Sequence, residues 1–361
     1  MSRVVHLHIG APKTGTTYLQ DRLMRNAATL AQHGVTFPTK NRLTPADLFH
    51  FRAALDLLER DWGGVPGHAK GAWDILVRRA GRASGNVIVS HEILAPARPE
   101  KVRKAVNDLR GAEIHVVYSA RDLARQLPAA WQESIKQGRS WSFAKFLDKF
   151  ERGGTWFHRA LDLPAVLSTW GECVPPENIH LVTVPHERGP DGDLLWQRFC
   201  TALSLDPSWA PQDSERSNAS LGVAETQLIR QLNKELDLTV GRDVVYDQLI
   251  RQLLAQEVLV ARNMIPVRLP PDRYEWVEAQ SERWIEWARA SGIQVVGDLA
   301  DLAPRRPDPE ARWYDPDNVR PKRQLGAALD ALAAVTREAA ERESASTAGR
   351  LQDMARRIRV R

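Results

Sequence analysis

The sequence predicts an α/β fold: a parallel β-sheet flanked by helices, with further helices added toward the C-terminus. Two observations lead there. Short apolar runs alternate with helical stretches from Val4 to Val184, the order expected of a parallel sheet covered on both faces. The first of these runs ends in a glycine-bearing loop that leads straight into a helical pattern, the opening of a βαβ unit.

Val4–Ile9 is the first predicted strand, apolar with His6 and His8 interleaved. After the loop Gly10–Thr17, Leu19, Leu23 and Leu30 lie on one side of a helix and Gln20, Arg22 and Arg25 on the other, ending near His33-Gly34. Val35-Thr36-Phe37-Pro38 reads as the second strand. Further strands are expected at Asn86–Ser90, Glu113–Tyr118 and Asn178–Val184, with helices at Pro99–Leu109, Leu123–Gln137 and Phe143–Phe150. From about Glu225 to Ala290 the patterns are mainly helical. These segments give an α/β domain over 1–305, in which 204–305 is helical elaboration. A linker rich in proline and charge follows at 306–321. A basic helix and tail occupy 322–361, with Leu325, Leu329 and Leu332 at helical spacing.

The chain has 361 residues, 43% hydrophobic and 26% charged, which excludes general disorder. No apolar run reaches the roughly 18 residues of a membrane span. The opening, Met1–His8, is too short in its apolar stretch for a signal peptide. The two cysteines, Cys173 and Cys200, exclude a disulfide scaffold. A cytoplasmic protein is expected. The net charge of +5 resides in the tail, because Arg320–Arg361 holds ten Lys/Arg against five Asp/Glu. The rest is close to neutral, which argues against nucleic acid as a partner. Forty arginines against ten lysines suit a GC-rich, bacterial coding genome.

The loop carries the chemistry. Gly10 and Gly15 have the spacing of G-x-x-x-x-G-K-[ST], but Thr16 stands at the lysine position and Lys13 lies inside the loop. Glycines let backbone N–H groups converge, and the helix N-terminus adds partial positive charge. Lys13 adds a full charge, and Thr16 and Thr17 add hydroxyls. The bland alternative is a glycine turn with a threonine cap.

The run Gly10-Ala11-Pro12-Lys13-Thr14-Gly15-Thr16-Thr17-Tyr18-Leu19 resembles the 5′-phosphosulfate-binding loop of sulfotransferases that use 3′-phosphoadenosine 5′-phosphosulfate (PAPS). The resemblance implies a P-loop-like sulfotransferase fold with PAPS as co-substrate and no metal. It implies that Lys13 touches the 5′-phosphate and the bridging oxygen to the sulfuryl group. Thr14, Gly15, Thr16 and Thr17 would cradle that phosphate. It also implies a 3′-phosphate contact from an arginine after a later strand, which Arg121 matches; guanidinium suits phosphate. The serine that the family carries eight residues on is Ala129 here, with Ser119 and Ser134 as substitutes nearby. For the base, His91 follows the strand Val87–Ser90 and Glu92 adjoins it; the family's branches use either type. Val89 stands where the cytosolic branch has a lysine.

Other signals are weaker. Residues 217–222 could close on a nucleotide or could simply enter a helix. Trp141, Phe143, Phe146, Phe150, Trp156 and Phe157 suit core packing better than an acceptor pocket. The ten histidines lack metal-ligand spacing. The leading expectation is sulfuryl transfer from PAPS to a hydroxyl or amine of a small-molecule, carbohydrate or lipid acceptor. The alternatives are a P-loop nucleoside or small-molecule kinase, which wants a lysine at position 16, and a non-catalytic nucleotide-binding module, which Ala129 favours. The basic tail suggests peripheral membrane contact, pairing with another subunit, or a solvated helix. Acceptor identity and oligomeric state stay open.

Overall fold

The computed structural model describes residues 3–40, 44–62, 64–187, 189, 192–216, 220–236 and 246–359, with side-chain surroundings through residue 343. Its strands are β1 (Val4–Gly10), β2 (Val35–Thr36), β3 (Asn86–Ser90), β4 (Glu113–Ala120), β5 (Ile179–Thr183) and β6 (Gln294–Val296). The helices are α1 (Thr16–Arg25), α2 (Ala27–Gln32), α3 (Ala46–Leu57), α4 (Ala72–Arg82), α5 (Pro99–Asp108), α6 (Leu123–Lys136) and α7 (Phe143–Glu151). They continue with α8 (Trp156–Leu161), α9 (Leu163–Gly171), α10 (Leu194–Ala202), α11 (Val223–Glu235), the π-helical α12 (Asp247–Val258), α13 (Tyr274–Ala290) and α14 (Pro321–Arg359).

The chain divides into two compact units. The first comprises Met1–Trp131, Ala144–Asn218 and Arg268–Trp313 and contains the whole sheet. Strand order is β2-β3-β1-β4-β5-β6, and every neighbouring pair is parallel. This is the expected α/β architecture. The chain moves from β1 toward β2 on one side and from β4 toward β5 on the other, so a topological switch point lies between β1 and β4. In open α/β sheets the crevice beyond the strand ends at that point is where ligands bind.

Both faces of the sheet are covered. Val5, Leu7 and Ile9 point to one face, where Tyr118 donates its hydroxyl to the carbonyl of Ala160 on α8 at 3.0 Å. On the other face Leu19 and Leu23 of α1 join Ile88, Val117, Val182, Trp196 and Phe199 in one buried cluster. Full burial of each such side chain contributes about 1.5–3 kcal/mol. Arg22 fastens the far end of α1. It meets Asp193 at 2.6 Å, donates to the carbonyl of Ala210 through Nε and Nη2, and lies 4.7 Å over the Trp196 ring. Asn26 and Gln212 add a reciprocal pair of bonds, at 2.7 and 3.0 Å.

The second unit comprises Gln132–Phe143, Ala219–Val267 and Tyr314–Arg361. Asn233 of α11 donates to the carbonyls of Ile135 and Arg139, and Tyr246 donates to Asn233 at 2.7 Å. Arg262 ties Glu225 on α11 to Asp330 and the Gly326 carbonyl on α14. Ala327, Ala331 and Ala334 form the buried face of α14.

β3 occupies the predicted residues, and β1, β2, β4 and β5 lie within two residues of their predicted bounds. The sequence reading missed β6, a short strand whose first two residues are exposed on the sheet edge. The basic helix and tail expected over 322–361 form one helix, α14, from Pro321 to Arg359. Phe143, Phe146, Phe150 and Phe157 are buried, Trp141 and Trp156 partly so.

Candidate nucleotide site

The loop after β1 adopts three left-handed backbone conformations, at Gly10 (φ 108°), Lys13 (φ 66°) and Gly15 (φ 92°). At the glycines no other residue fits. A Cβ at Gly10 would lie 2.9 Å from Cβ of Glu92, and one at Gly15 would lie 2.7 Å from the Leu195 side chain. Lys13 holds this conformation despite its Cβ, an arrangement that persists only where its surroundings impose it. The loop has several anchors. Thr14 donates its hydroxyl to the Ala11 carbonyl at 2.6 Å, the Ala11 N–H donates to Ser119 at 2.7 Å, and buried Gln126 donates to the Pro12 carbonyl at 2.8 Å.

The loop delivers the start of α1. Gly15 is its N-cap, no side chain caps it, and its first turn holds no acidic residue. The first-turn N–H groups of Thr16 and Thr17 and the helix dipole therefore present positive charge beside Lys13.

Arg121 follows β4 across the switch point. Its Nη1 lies 3.5 Å from the Lys13 carbonyl, so Arg121 and the loop share one location. Its Nε is buried without a hydrogen-bond partner. Burial, with Arg125 nearby, lowers its pKa to about 10, which still leaves it charged at neutral pH. A half-buried guanidinium whose inaccessible Nε has no partner suits an anion. Arg125, one turn on, is committed elsewhere: it pairs with Asp122 and donates to the carbonyls of Val184 and Pro185.

His91 and Glu92 follow β3, beside the loop. His91 caps the short 3-10 turn Glu92–Leu94, its Nδ1 accepting from the Ile93 N–H at 3.3 Å. Its ring lies against Phe51 at 5.0 Å, and burial lowers its pKa. An Nδ1 that accepts a hydrogen bond carries no proton, so the neutral ring holds its proton on Nε2. Glu92 Oε2 lies 3.8 Å from that Nδ1 and is buried with no donor to satisfy it.

Ser119 is fully buried and bonded to His8 at 3.3 Å, so it belongs to the sheet interior. Ser134 is buried and falls in the second unit, and positions 217–219 lie outside the described residues. Ala129 is half-buried on α6.

Two residues escaped the sequence reading. His8 is fully buried and joins three strand ends, with Nδ1 2.8 Å from Ser90 Oγ and Nε2 3.3 Å from Ser119 Oγ. Burial lowers its pKa to about 4. Gln126, the loop's anchor, carries no local signal except its place on the helix after Arg121. Among the described residues no helix is long and apolar enough to cross a membrane.

No protein-family model and no curated protein sequence matches the chain. Among solved structures, a sulfotransferase from Alicyclobacillus acidocaldarius is similar with a TM-score of 0.37 and 15% identity, over 60% of this chain and 87% of that one.

Proposed function

We propose that the first unit binds PAPS and transfers its sulfuryl group to a hydroxyl or amine of an acceptor. The observation that carries the proposal is Arg121: a half-buried, charged guanidinium whose inaccessible Nε has no hydrogen-bond partner and whose Nη1 lies 3.5 Å from the carbonyl of Lys13. One cationic group belongs to the phosphate loop and the other follows the strand across the switch point. A nucleotide bearing phosphates at both 3′ and 5′ ends has the charge distribution to use both.

In this reading the N–H groups of Thr16 and Thr17, with Lys13, hold the 5′-phosphate, and Arg121 holds the 3′-phosphate. The donor supplies an activated sulfur with a phosphate leaving group. Lys13 stabilises the charge that grows on the bridging oxygen as its bond to sulfur breaks and the electron pair passes to phosphate. The acceptor oxygen or nitrogen forms the new bond to sulfur and gives up its proton. Glu92 takes that proton, a choice supported by two facts: its Oε2 has no donor, and the Nδ1 of His91 already accepts from Ile93. His91 then serves to position Glu92 through the turn that it caps.

The test is calorimetric titration with 3′,5′-adenosine bisphosphate, the product that PAPS leaves. The expected result is micromolar binding without metal, lost in Lys13→Ala and Arg121→Ala. Binding of ATP only with Mg²⁺, and none of the bisphosphate, would replace this proposal with the kinase. Ala129 favours a second reading, in which the nucleotide is held without turnover. In that case bisphosphate binds, yet no sulfuryl transfer from PAPS to any of a panel of phenol, sugar and lipid acceptors is detected.

A further inference from the structure

His91 stands at one end of a short row of aromatic rings. Its ring centroid lies 5.0 Å from that of Phe51 on α3, and Phe51 meets Trp62 edge to face at 5.3 Å. His91 and Phe51 are half-buried and Trp62 is 41% exposed, so the row leads outward from beside the proposed base, Glu92. Among the described residues of the first unit, the exposed large hydrophobic side chains are Leu48, Trp62, Val65 and Val295. Three of these four lie on α3 or in the segment after it: Leu48 one turn before Phe51, and Val65 three residues after Trp62. Aromatic surface next to a carboxylate oxygen with no donor is a place for a ligand.

The segment that carries Trp62 is bonded to itself. His68 donates from Nε2 to the Trp62 carbonyl at 3.2 Å, the His68 N–H donates to the Val65 carbonyl at 3.0 Å, and the Gly67 N–H donates to Asp61 at 2.9 Å. Asp61 and His68 are thereby committed. On α3, Asp47 accepts from the Leu48 N–H at 2.8 Å and pairs with Arg216 at 2.7 Å, and His50 is bonded at both ring nitrogens, to Pro38 and Ser90. Glu92 Oε2, by contrast, has no donor. A pyranose carries a hydroxyl on most of its carbons, and each one buried without a partner costs affinity. An aryl ring with one hydroxyl asks for ring contact and a single acceptor oxygen, which are the groups on offer here. A phenolic hydroxyl also ionises at about pH 10, so a carboxylate draws its proton more readily than that of an alkyl alcohol.

We infer that the acceptor is a phenol whose ring packs against Phe51 and Trp62 and whose hydroxyl reaches Glu92. This rests on the proposed function and names the acceptor class within it. The phenolic oxygen forms the new bond to sulfur as the bond from sulfur to the bridging oxygen breaks, its electron pair staying on the 5′-phosphate. The phenolic proton passes to Glu92, and the products are an aryl sulfate and 3′,5′-adenosine bisphosphate. Trp62 sets specificity: it holds the body of the acceptor and takes no part in proton transfer.

Two measurements on the full chain test the inference. The first is calorimetric titration of 4-nitrophenol into protein saturated with 3′,5′-adenosine bisphosphate. Binding is expected, weakened roughly tenfold in Trp62→Ala and largely restored in Trp62→Phe. Because Trp62 is exposed, Trp62→Ala should keep the wild-type melting temperature and bind the bisphosphate as the wild type does. The second is transfer from PAPS to 4-nitrophenol, N-acetylglucosamine or dodecanol, followed by the release of bisphosphate; the phenol should react with the highest kcat/KM. If the bisphosphate itself does not bind, the proposed function falls and this inference falls with it. If the bisphosphate binds and 4-nitrophenol does not, only the acceptor class is overturned. Preference for the sugar or the alkyl alcohol overturns it too, as does a Trp62→Ala variant that binds 4-nitrophenol normally.

Discussion

The α-carbon of Gly10 lies directly against Glu92: a Cβ built on the glycine would stand 2.9 Å from Glu92 Cβ and 3.0 Å from its α-carbon. The start of the loop after β1 and the proposed base are therefore in van der Waals contact, although the base follows β3. Neither can shift without the other.

Gly10→Ala should consequently damage two functions at once. The new methyl meets backbone as well as side chain, and φ of 108° is unfavourable for alanine. The cost should be about 1–3 kcal/mol of stability. Bisphosphate affinity and any transfer rate should both fall. Thermal melting and calorimetry on the same sample check this, and intact affinity in the variant would contradict the contact.

Gln126→Ala removes the donor to the Pro12 carbonyl but touches neither charge nor helix start. The expected loss is about 1 kcal/mol, or roughly fivefold in bisphosphate affinity, from a loop held less firmly. A loss as large as that of Lys13→Ala would mean that Gln126 meets the ligand itself.

Stability should fall with acidity. His6, His8 and His50 are buried, and burial lowers their pKa values to about 3, 4 and 4. In the unfolded chain each takes up a proton near 6.5. Below that pH the unfolded state binds more protons than the folded one, so stability present at pH 7 is progressively lost down to about pH 4. Each of His8 and His50 contributes on the order of 3 kcal/mol to this slope. Urea unfolding followed by tryptophan fluorescence across that range measures it. A flat profile would mean that these rings are already protonated or exposed.

Arg22→Ala should be among the most damaging single changes outside the loop. It strips Asp193 of its partner, leaves the Ala210 carbonyl without its donor and uncovers the Trp196 ring. About 3 kcal/mol of destabilisation is expected, and urea unfolding would read it. Arg22→Lys should recover only part, because a lysine cannot serve Asp193 and Ala210 together.

Much of this was legible in the sequence, and the boundary has a physical cause. Strands such as Asn86–Ser90 announce themselves by local composition, and Gly10, Lys13 and Gly15 lie within one short run. Arg121 is legible because it directly follows a strand. His8, Gln126 and the contact of Glu92 with Gly10 are not, because their partners stand far along the chain: Ser90 and Ser119 for His8, Pro12 for Gln126. Parallel strand order makes those contacts, and no local pattern encodes it. β6 escaped for the opposite reason, being too short to show alternation.

The clamp on α1 has a thermodynamic consequence. Arg22 and Asn26 fix the end of this helix remote from the loop, while Gln126 and Thr14 fix the loop itself. On the proposed function, an arriving anion meets a cradle whose ordering was completed during folding. Recognition then spends little conformational entropy at the moment of encounter. The free energy that other proteins devote to closing a loop over phosphate remains in the affinity, and discrimination among anions becomes a matter of shape.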